Sequence, residues 1–224
     1  MIVCNAPLDL DAEQRLVDAA RQPDTRIVGV DGGAARLVAL GILPHVVTGD
    51  FDSLTGADLA DFEARGVEIV PTPDQEYTDL DKALTYVREK SGGMPVVVFG
   101  AVGGRLDHTY SVLSSVIKHG VFAGMDVRLV DSVGETLPVR GGELILRGDD
   151  LPGRVLSLLT FGVVRGVTLT GVRWTLAGAT LAPGVRDGTL NEVTDTTVIV
   201  RCEADAPLLV LLHHLLLPGR VKAR

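Results

Sequence analysis

The segment VVTGDFDS (residues 46–53) joins a short run of β-branched residues to a glycine and two aspartates. An amphipathic stretch follows at residues 57–65, and a strand followed by such a helix is typical of a βαβ unit. The same alternation recurs on both sides of this segment, up to about residue 132. Helical crossovers between strands imply a mostly parallel sheet. We therefore predict an N-terminal Rossmann-like α/β domain.

The predicted elements divide the chain into two domains. In the first, the predicted strands cover residues 26–30, 46–48, 67–70, 96–99 and 127–130, and the predicted helices cover residues 34–40, 57–65, 79–90 and 107–118. Beyond residue 131 the pattern changes to short alternating segments separated by glycines, at residues 143–146, 155–159, 167–170 and 197–201. Such segments are typical of an antiparallel β-sandwich. We predict an α/β domain over residues 1–132 and a β-sandwich domain over residues 133–224.

Composition disfavours several classes of protein. A chain of 224 residues with 46% hydrophobic content can bury a large core. Its formal net charge of −8 disfavours nucleic acid as a partner, because phosphates require clustered basic residues. The apolar stretch 208–217 is shorter than the roughly 20 residues that cross a bilayer, so we predict a buried strand or short helix. Two cysteines and no signal-peptide pattern lead us to expect a cytoplasmic protein.

Aspartates follow several predicted strands. Asp31 follows the first of these strands, Asp50 and Asp52 follow the second, and Asp79 opens a predicted helix. In an open parallel sheet, ligands bind at the carboxyl ends of the strands. Carboxylates that converge there repel one another unless a cation lies between them, and hard oxygen ligands suit Mg²⁺ or Mn²⁺. The pattern predicts a metal site.

Asp31 and Asp79 also have a purely structural interpretation, whereas the spacing of Asp50 and Asp52 favours a metal site. Asp next to Gly after a strand is commonly a turn residue or a helix cap, which would account for Asp31. Asp50 and Asp52 are two residues apart, and in an extended segment both side chains would face one ion. Thr78 is the predicted N-cap of a helix in which Asp79 stabilises the macrodipole.

A glycine-rich turn at residues 100–108 follows an apolar strand and opens a helix. This arrangement offers backbone N–H groups to phosphate, and Arg105 could add a bidentate contact. Asp107 either caps the helix or reaches the transferred phosphoryl group or the attacking hydroxyl, and both interpretations stay open. The turn matches neither the dinucleotide fingerprint nor the P-loop, so we predict neither a Rossmann dehydrogenase nor a P-loop kinase.

The only tryptophan, Trp174, lies in the predicted second domain. A single tryptophan is commonly core or interface filler. Its indole face would also hold a flat cationic heterocycle. Asn191, in the same domain, has a similar pair of interpretations, as a turn residue or as part of a binding site.

Six motifs in this order resemble the thiamine pyrophosphokinase family: DGGAAR (31–36), GDFDS (49–53), DQEYTDLDKAL (74–84), GGRLDH (103–108), TLTGVRW (168–174) and LNE (190–192). The resemblance implies transfer of pyrophosphate from ATP to the hydroxyethyl group of thiamine, giving thiamine diphosphate and AMP. It also implies a bound Mg²⁺ and a homodimer with active sites between subunits. From charge and from the short apolar stretch we expect no contact with nucleic acid or membrane.

By matching positions, the resemblance also implies roles for individual residues. The implied Mg²⁺ ligands and catalytic residues are Asp50, Asp52 and Asp79, with Asp107 as a further catalytic residue. The implied nucleotide-binding residues are Asp31, Gly32, Gly33, Arg36, Gln75, Thr78, Gly104 and Arg105. The implied thiamine-binding residues are Trp174, Thr170 and Asn191, and Trp174 of the partner subunit is expected to stack on thiamine.

Two other functions remain open at this point. A related pyrophosphokinase acting on another alcohol, such as a hydroxymethylpterin, would share the metal site and differ in the second-domain pocket. A non-catalytic sensor of nucleotide or thiamine would bind both ligands and release no AMP. The general base also stays open between Asp107 and a metal-bound carboxylate.

Overall fold

The structure is a computed structural model that describes residues 1–90 and 92–216. Residues 217–224 lie outside the described residues. They include the last residue of the apolar stretch 208–217 and the end of the predicted second domain. The chain divides into two compact units. Unit 1 comprises Met1–Ser115 and Met125–Ser132, and unit 2 comprises Val116–Gly124 and the chain from Val133 onward. No helix in the described part of the chain is long and apolar enough to cross a membrane.

Unit 1 is built on a parallel sheet. Its described strands are β1 (Ile2–Val3), β2 (Val28–Val30), β3 (Val46–Gly49), β4 (Glu68–Pro71), β5 (Val96–Phe99) and β6 (Val127–Val130). They lie in the order β6-β5-β1-β2-β3-β4, with neighbours parallel. The helices are α1 (Leu10–Ala20), α2 (Gly32–Ala39), α3 (Gly56–Ala64), α4 (Asp79–Lys90) and α5 (Leu106–Val116). The predicted mostly parallel α/β fold is confirmed.

The core of unit 1 explains why its strands are runs of valine. One hydrophobic cluster contains Leu16 of α1, Leu37 of α2 and Phe99 of β5. Another contains Phe62 of α3 and Val47 of β3. Helices thus cover the sheet, and strands that are buried on both faces read as continuous apolar runs rather than as alternating ones.

Unit 2 contains two antiparallel sheets within its described residues. One has the order β12-β9-β14-β7 and consists of β7 (Gly134–Pro138), β9 (Arg154–Thr160), β12 (Gly188–Glu192) and β14 (Leu208–Leu216). The other has the order β11-β10-β13-β8 and consists of β8 (Glu143–Arg147), β10 (Val164–Thr170), β11 (Leu176–Leu181) and β13 (Thr197–Arg201). A single hydrophobic core takes Leu158 and Val210 from the first sheet and Leu169 and Val198 from the second. The predicted β-sandwich is confirmed.

The structure corrects several predicted elements. The helix predicted over residues 107–118 begins at Leu106, ends at Val116 and continues as a π-helix over Ile117–Phe122. The stretch that begins at residue 208 is a strand, because its backbone pairs with both β7 and β9. The predictions missed β1, α1, β7, β11 and β12. β1 has two residues, too few to produce a periodic signal.

Candidate active site

The strand order of unit 1 reverses at β1. The chain continues from β1 to β2, β3 and β4 on one side, whereas β5 and β6 lie on the other. Open parallel sheets bind ligands at such a point, outside the carboxyl ends of the strands. A cavity of about 500 Å³ opens there and is lined by Asn5 after β1, by Gly100 after β5, and by Asp31 and Asp79. The topology therefore places this cavity where a ligand is expected.

Asp31 links the ends of two neighbouring strands. Its φ of 46° lies in a region that is unfavourable for residues other than glycine. It occupies the N-cap position of α2, yet its side chain makes no capping hydrogen bond, so the capping interpretation is wrong. Its Oδ1 instead accepts a hydrogen bond from the N–H of Phe51 at 3.0 Å. A Cβ atom on Gly49 would lie 1.8 Å from the same oxygen, so only glycine fits beneath this carboxylate.

The carboxylates of Asp50, Asp52 and Asp79 are close enough to act on that of Asp31, and we call the four residues the acidic edge. The pKa of Asp31 is raised from 3.8 to about 6. Burial is the largest cause, the hydrogen bond from Phe51 opposes it, and the charges of Asp79, Asp50 and Asp52 raise the pKa further. A bound cation would relieve this repulsion.

The loop after β3 is a turn and not an extended segment. Phe51 has φ 64°, and the N–H of Asp52 donates to Oδ1 of Asp50 at 3.2 Å. The prediction that strand alternation aligns Asp50 with Asp52 is therefore wrong, because alternation requires extended backbone. Gln75 Nε2 donates to the other Asp50 oxygen at 3.3 Å. The pKa of Asp50 is lowered by the Asp52 N–H first and by Gln75 next, so this exposed group is a carboxylate at neutral pH.

The start of α4 agrees with its prediction. Oγ1 of Thr78 accepts a hydrogen bond from the N–H of Asp81 at 3.3 Å, which confirms Thr78 as the N-cap. Oδ1 of Asp79 lies 2.7 Å from Nζ of Lys82. Sequence reasoning missed Lys82, although its spacing of three residues from Asp79 on a predicted helix is the spacing of an ion pair.

The acidic edge offers the ligand chemistry of a hard divalent cation. Among the described residues, no three His, Cys, Asp or Glu side chains are arranged to hold a metal ion as they stand. Oδ2 of Asp50 accepts a hydrogen bond from Gln75. Oδ1 of Asp79 pairs with Lys82, so the oxygen of Asp79 that would face a cation is Oδ2. The donor set consists of carboxylate oxygens, and these are the ligands that Mg²⁺ prefers. The residues present fit Mg²⁺ in their chemistry.

The glycine-rich turn lies between β5 and α5 and borders the cavity. Gly104 lines the cavity, and a Cβ atom added to it would meet nothing within 4 Å. Packing within the described part of this unit would therefore also admit a larger residue at position 104. Space beside a backbone at the start of a helix is what an approaching phosphate needs.

Arg105 and Asp107 form an ion pair at the mouth of this turn. Nε of Arg105 donates to Oδ1 of Asp107 at 3.0 Å, and Nη2 bonds the other oxygen. The pKa of Asp107 falls to about 2, chiefly because of Arg105 and then because of the N–H of His108. Asp107 lies inside the first turn of α5, so its interpretation as the N-cap is wrong. A carboxylate with so low a pKa is a poor proton acceptor while this pair is intact.

Gly32 and Gly33 allow α2 to pack against the segment after β1. A Cβ atom on Gly33 would lie 2.1 Å from the carbonyl oxygen of Val3, and one on Gly32 would lie 2.4 Å from Nδ2 of Asn5. Gly33 is thus required by close packing against backbone, whereas a side chain at position 32 would have to displace the side chain of Asn5. Gly32 also lines the cavity. Arg36 donates to the carbonyl of Asn5 at 3.3 Å, on the same segment.

In unit 2, Trp174 is held by its backbone. The residue is 57% exposed, so the interpretation as core filler is wrong. Its N–H donates to Oδ1 of Asn191 at 3.1 Å, and its carbonyl accepts from Nδ2 of Asn191 at 2.8 Å. Because Asn191 is buried and both ends of its amide contact the Trp174 backbone, it holds the tryptophan in place.

The guanidinium of Arg173 lies 5.5 Å from the centroid of the Trp174 ring and pairs at 2.8 Å with the buried carboxylate of Glu192. We call Arg173, Trp174, Asn191 and Glu192 the tryptophan clamp. A cavity of about 170 Å³ is lined by Trp174, Asn191 and Asp187 among others. Thr170, at the exposed end of β10, is not among the residues that line it.

The fold and the site define a protein with a parallel α/β unit, a cavity beside an acidic edge, and a β-sandwich unit that presents an indole ring. The family profile for the thiamin pyrophosphokinase catalytic domain matches residues 18–129. The profile for the thiamin pyrophosphokinase vitamin B1 binding domain matches residues 144–209. The chain belongs to the thiamine pyrophosphokinase family, and the resemblance of its six motifs is confirmed.

Individual relatives agree with the profiles. The chain is 32% identical over 151 residues to thiamine pyrophosphokinase of Bacillus subtilis (strain 168), which covers 66% of this chain and 69% of that protein. It is 29% identical over 167 residues to thiamin pyrophosphokinase 1 of Caenorhabditis elegans, covering 70% and 66%. The crystal structure of thiamine pyrophosphokinase from Bacillus subtilis matches with a TM-score of 0.78 at 26% identity, covering 95% of this chain and 96% of that one.

Proposed function

We propose that this chain transfers pyrophosphate from ATP to the hydroxyethyl group of thiamine, giving thiamine diphosphate and AMP. The observation that carries the proposal is the acidic edge beside the cavity of unit 1, at the point where strand order reverses. Family membership favours thiamine over another alcohol such as a hydroxymethylpterin. The complete set of acids favours an enzyme over a sensor, because a sensor has no transferring group to neutralise.

We assign the metal site to Asp50, Asp52 and Asp79. Mg²⁺ bound there would act as a Lewis acid toward the phosphate oxygens of ATP. Asp31 supports the site because its carboxylate holds the N–H of Phe51, between two of the ligands. Gln75 supports it from the other side through its hydrogen bond to Asp50.

We assign ATP to the cavity of unit 1. The proposed nucleotide-binding set is Asp31, Gly32, Gly33, Arg36, Gln75, Thr78, Gly104 and Arg105. Support comes from the open space at Gly104 and from the backbone N–H groups that begin α5. Arg105 would bind phosphate with the same fork that now holds Asp107. Release of Asp107 would raise its pKa toward the ordinary value and make it a better proton acceptor.

Thiamine would stack on the exposed indole of Trp174. Asn191 then acts through the tryptophan backbone, and a direct role for Thr170 stays a prediction. We further propose a homodimer in which Trp174 of the partner subunit completes each active site. The exposure of large apolar side chains in unit 2, among them those of Trp174, Val185 and Leu190, supports an interface. The free thiols of Cys4 and Cys202 support a cytoplasmic location.

In the proposed reaction the thiamine hydroxyl attacks the β-phosphorus of ATP, and AMP leaves. Reactions of this type depend mainly on positioning and on neutralising charge, so no covalent enzyme intermediate is required. The chain's own contributions would be the carboxylates of Asp50, Asp52 and Asp79, which would hold the cation, and the N–H groups of the glycine-rich turn, which would bind phosphate. Asp107 or a metal-ligating carboxylate would take the hydroxyl proton.

The test uses purified protein with ATP, Mg²⁺ and thiamine, and quantifies AMP and thiamine diphosphate together. We expect the two products in equal amounts and their loss when EDTA is present. A parallel reaction contains a hydroxymethylpterin in place of thiamine. AMP release with the pterin alone would identify a related pyrophosphokinase, and binding of ATP and thiamine without AMP would identify a sensor.

A further inference from the structure

Lys82 is a largely buried lysine on the first turn of α4. Its side chain is 10% exposed, and lysine is almost never buried unless its charge is paired. Nζ lies 2.7 Å from the carbonyl oxygen of Thr72, 2.8 Å from that of Asp74, and 2.7 Å from Oδ1 of Asp79. An ammonium group has three N–H donors, and these three acceptors use all of them. The positive charge is therefore held at one position.

One of the three acceptors is the proposed metal ligand Asp79, and the other two belong to the loop that supports the ligand Asp50. Thr72 and Asp74 lie in the loop between β4 and α4, and this loop carries Gln75, which bonds Asp50. The N–H of Thr72 donates to the carbonyl of Gly49 at 2.8 Å, beside the same ligand. Lys82 thus ties the start of α4 to the loop that supports Asp50.

The contact with Asp79 is compatible with a metal ligand. Lys82 contacts Oδ1, so Oδ2 is the oxygen available to a cation. Residues that contact a ligand's other atoms set its orientation, and their loss commonly weakens metal binding 10- to 100-fold. We propose that Lys82 is a positioning residue for the divalent-metal site, which orients Asp79 and holds the loop that carries Gln75. This inference rests on the proposed function, because that function supplies the metal.

The alternative is that Lys82 acts only as a nearby positive charge. The two roles predict opposite signs. A nearby positive charge repels a divalent cation, so its removal would tighten metal binding. Loss of a positioning contact would weaken metal binding instead. The affinity for the metal alone therefore separates the two roles without any turnover.

The experiment measures Mn²⁺ binding to the full chain by electron paramagnetic resonance, with no nucleotide present. Lys82→Met keeps the apolar stem and removes the charge. Lys82→Arg keeps the charge but presents a planar fork that does not match three compact acceptors. Lys90→Met, at the exposed end of the same helix, is the control. Circular dichroism establishes that each variant is folded, and Lys82→Arg alone suffices if Lys82→Met does not fold.

We expect the Kd for Mn²⁺ to rise about tenfold in both Lys82 variants and to stay unchanged in Lys90→Met. A Kd that falls in Lys82→Met, or that Lys82→Arg restores, would overturn the proposal. The outcome is independent of the thiamine assay. Wild-type protein that makes thiamine diphosphate while its Lys82 variants bind Mn²⁺ normally would overturn this inference alone. Mn²⁺ binding without thiamine turnover would overturn the proposed function alone.

Discussion

In the acidic edge of unit 1 the polar groups Asp50 and Asp52 are exposed above buried valine strands. In the tryptophan clamp of unit 2 the polar groups Asn191 and Glu192 are buried, and the large apolar ring of Trp174 is exposed. Exposed carboxylates are well solvated and contribute little to folding, so we expect changes there to affect chemistry alone. Buried polar groups leave unsatisfied partners when they are removed, so we expect changes there to affect both stability and binding.

The largest expected effect is on the acidic edge. Asp50→Asn removes one negative charge from the proposed metal site, and we expect the rate of thiamine diphosphate formation to fall about 100-fold or more. The free energy of unfolding should change little, because the side chain is exposed. Steady-state kinetics and urea unfolding measure the two quantities. Asp61→Asn, on the exposed face of α3, is the matched control, and full activity in Asp50→Asn would refute the metal assignment.

The next effect tests the tryptophan clamp. Asn191→Ala removes both hydrogen bonds to the Trp174 backbone, and we expect the free energy of unfolding to fall by about 1–3 kcal/mol. The thiamine KM should rise as well, because the ring loses its fixed position. If the KM rises with no loss of stability, Asn191 contacts thiamine directly, and the contrast between the two regions fails.

A smaller effect is expected from the ring itself. Trp174→Ala should raise the thiamine KM about fivefold to tenfold, which corresponds to about 1 kcal/mol of stacking on a cation, and leave kcat nearly unchanged. Stability should change little because the ring is exposed. Trp174→Phe keeps an aromatic face and should recover part of the affinity. An unchanged KM in Trp174→Ala would remove the tryptophan from the thiamine site.

The smallest effect concerns Asp31, a partly exposed member of the acidic edge whose charge is screened by solvent. Its pKa is raised to about 6 in the folded chain and is 3.8 ordinarily. The folded state therefore holds this proton more tightly than the unfolded state does. The resulting stabilisation is complete below about pH 3.8 and is lost as the pH rises through about 6. In EDTA, wild type should lose stability relative to Asp31→Asn between about pH 4 and pH 7.

Urea unfolding of both proteins at several pH values checks this expectation. Asp31→Asn keeps an oxygen that can accept from Phe51, so the comparison isolates the charge. Parallel pH profiles for the two proteins would show that Asp31 titrates as an ordinary aspartate. Neither burial nor the neighbouring carboxylates of the acidic edge would then raise the pKa of Asp31.

Some features of the site follow from local sequence. The valine runs predict the strands of unit 1, and the position of Thr78 predicts the start of α4, because periodicity and capping depend on neighbouring residues. The order of elements also predicts that Asp31, Asp50 and Asp79 lie at one edge of a parallel sheet. The bounds of α5 and the two-residue strand β1 escaped prediction, because ends and very short elements carry little periodic signal.

The sequence by itself determined the two fold classes and the residue types at the strand ends, because both are written in short-range patterns of apolar and polar residues. Only the tertiary structure decided how those residues are held. Asp31 reaches Phe51 across 20 positions, and Asn191 holds Trp174 across 17. Lys82 contacts Thr72 and Asp74 in the same way, through backbone carbonyls whose directions depend on the folded loop. Such contacts carry no sequence period, since any residue with the right reach and charge could make them once the chain has brought the segments together.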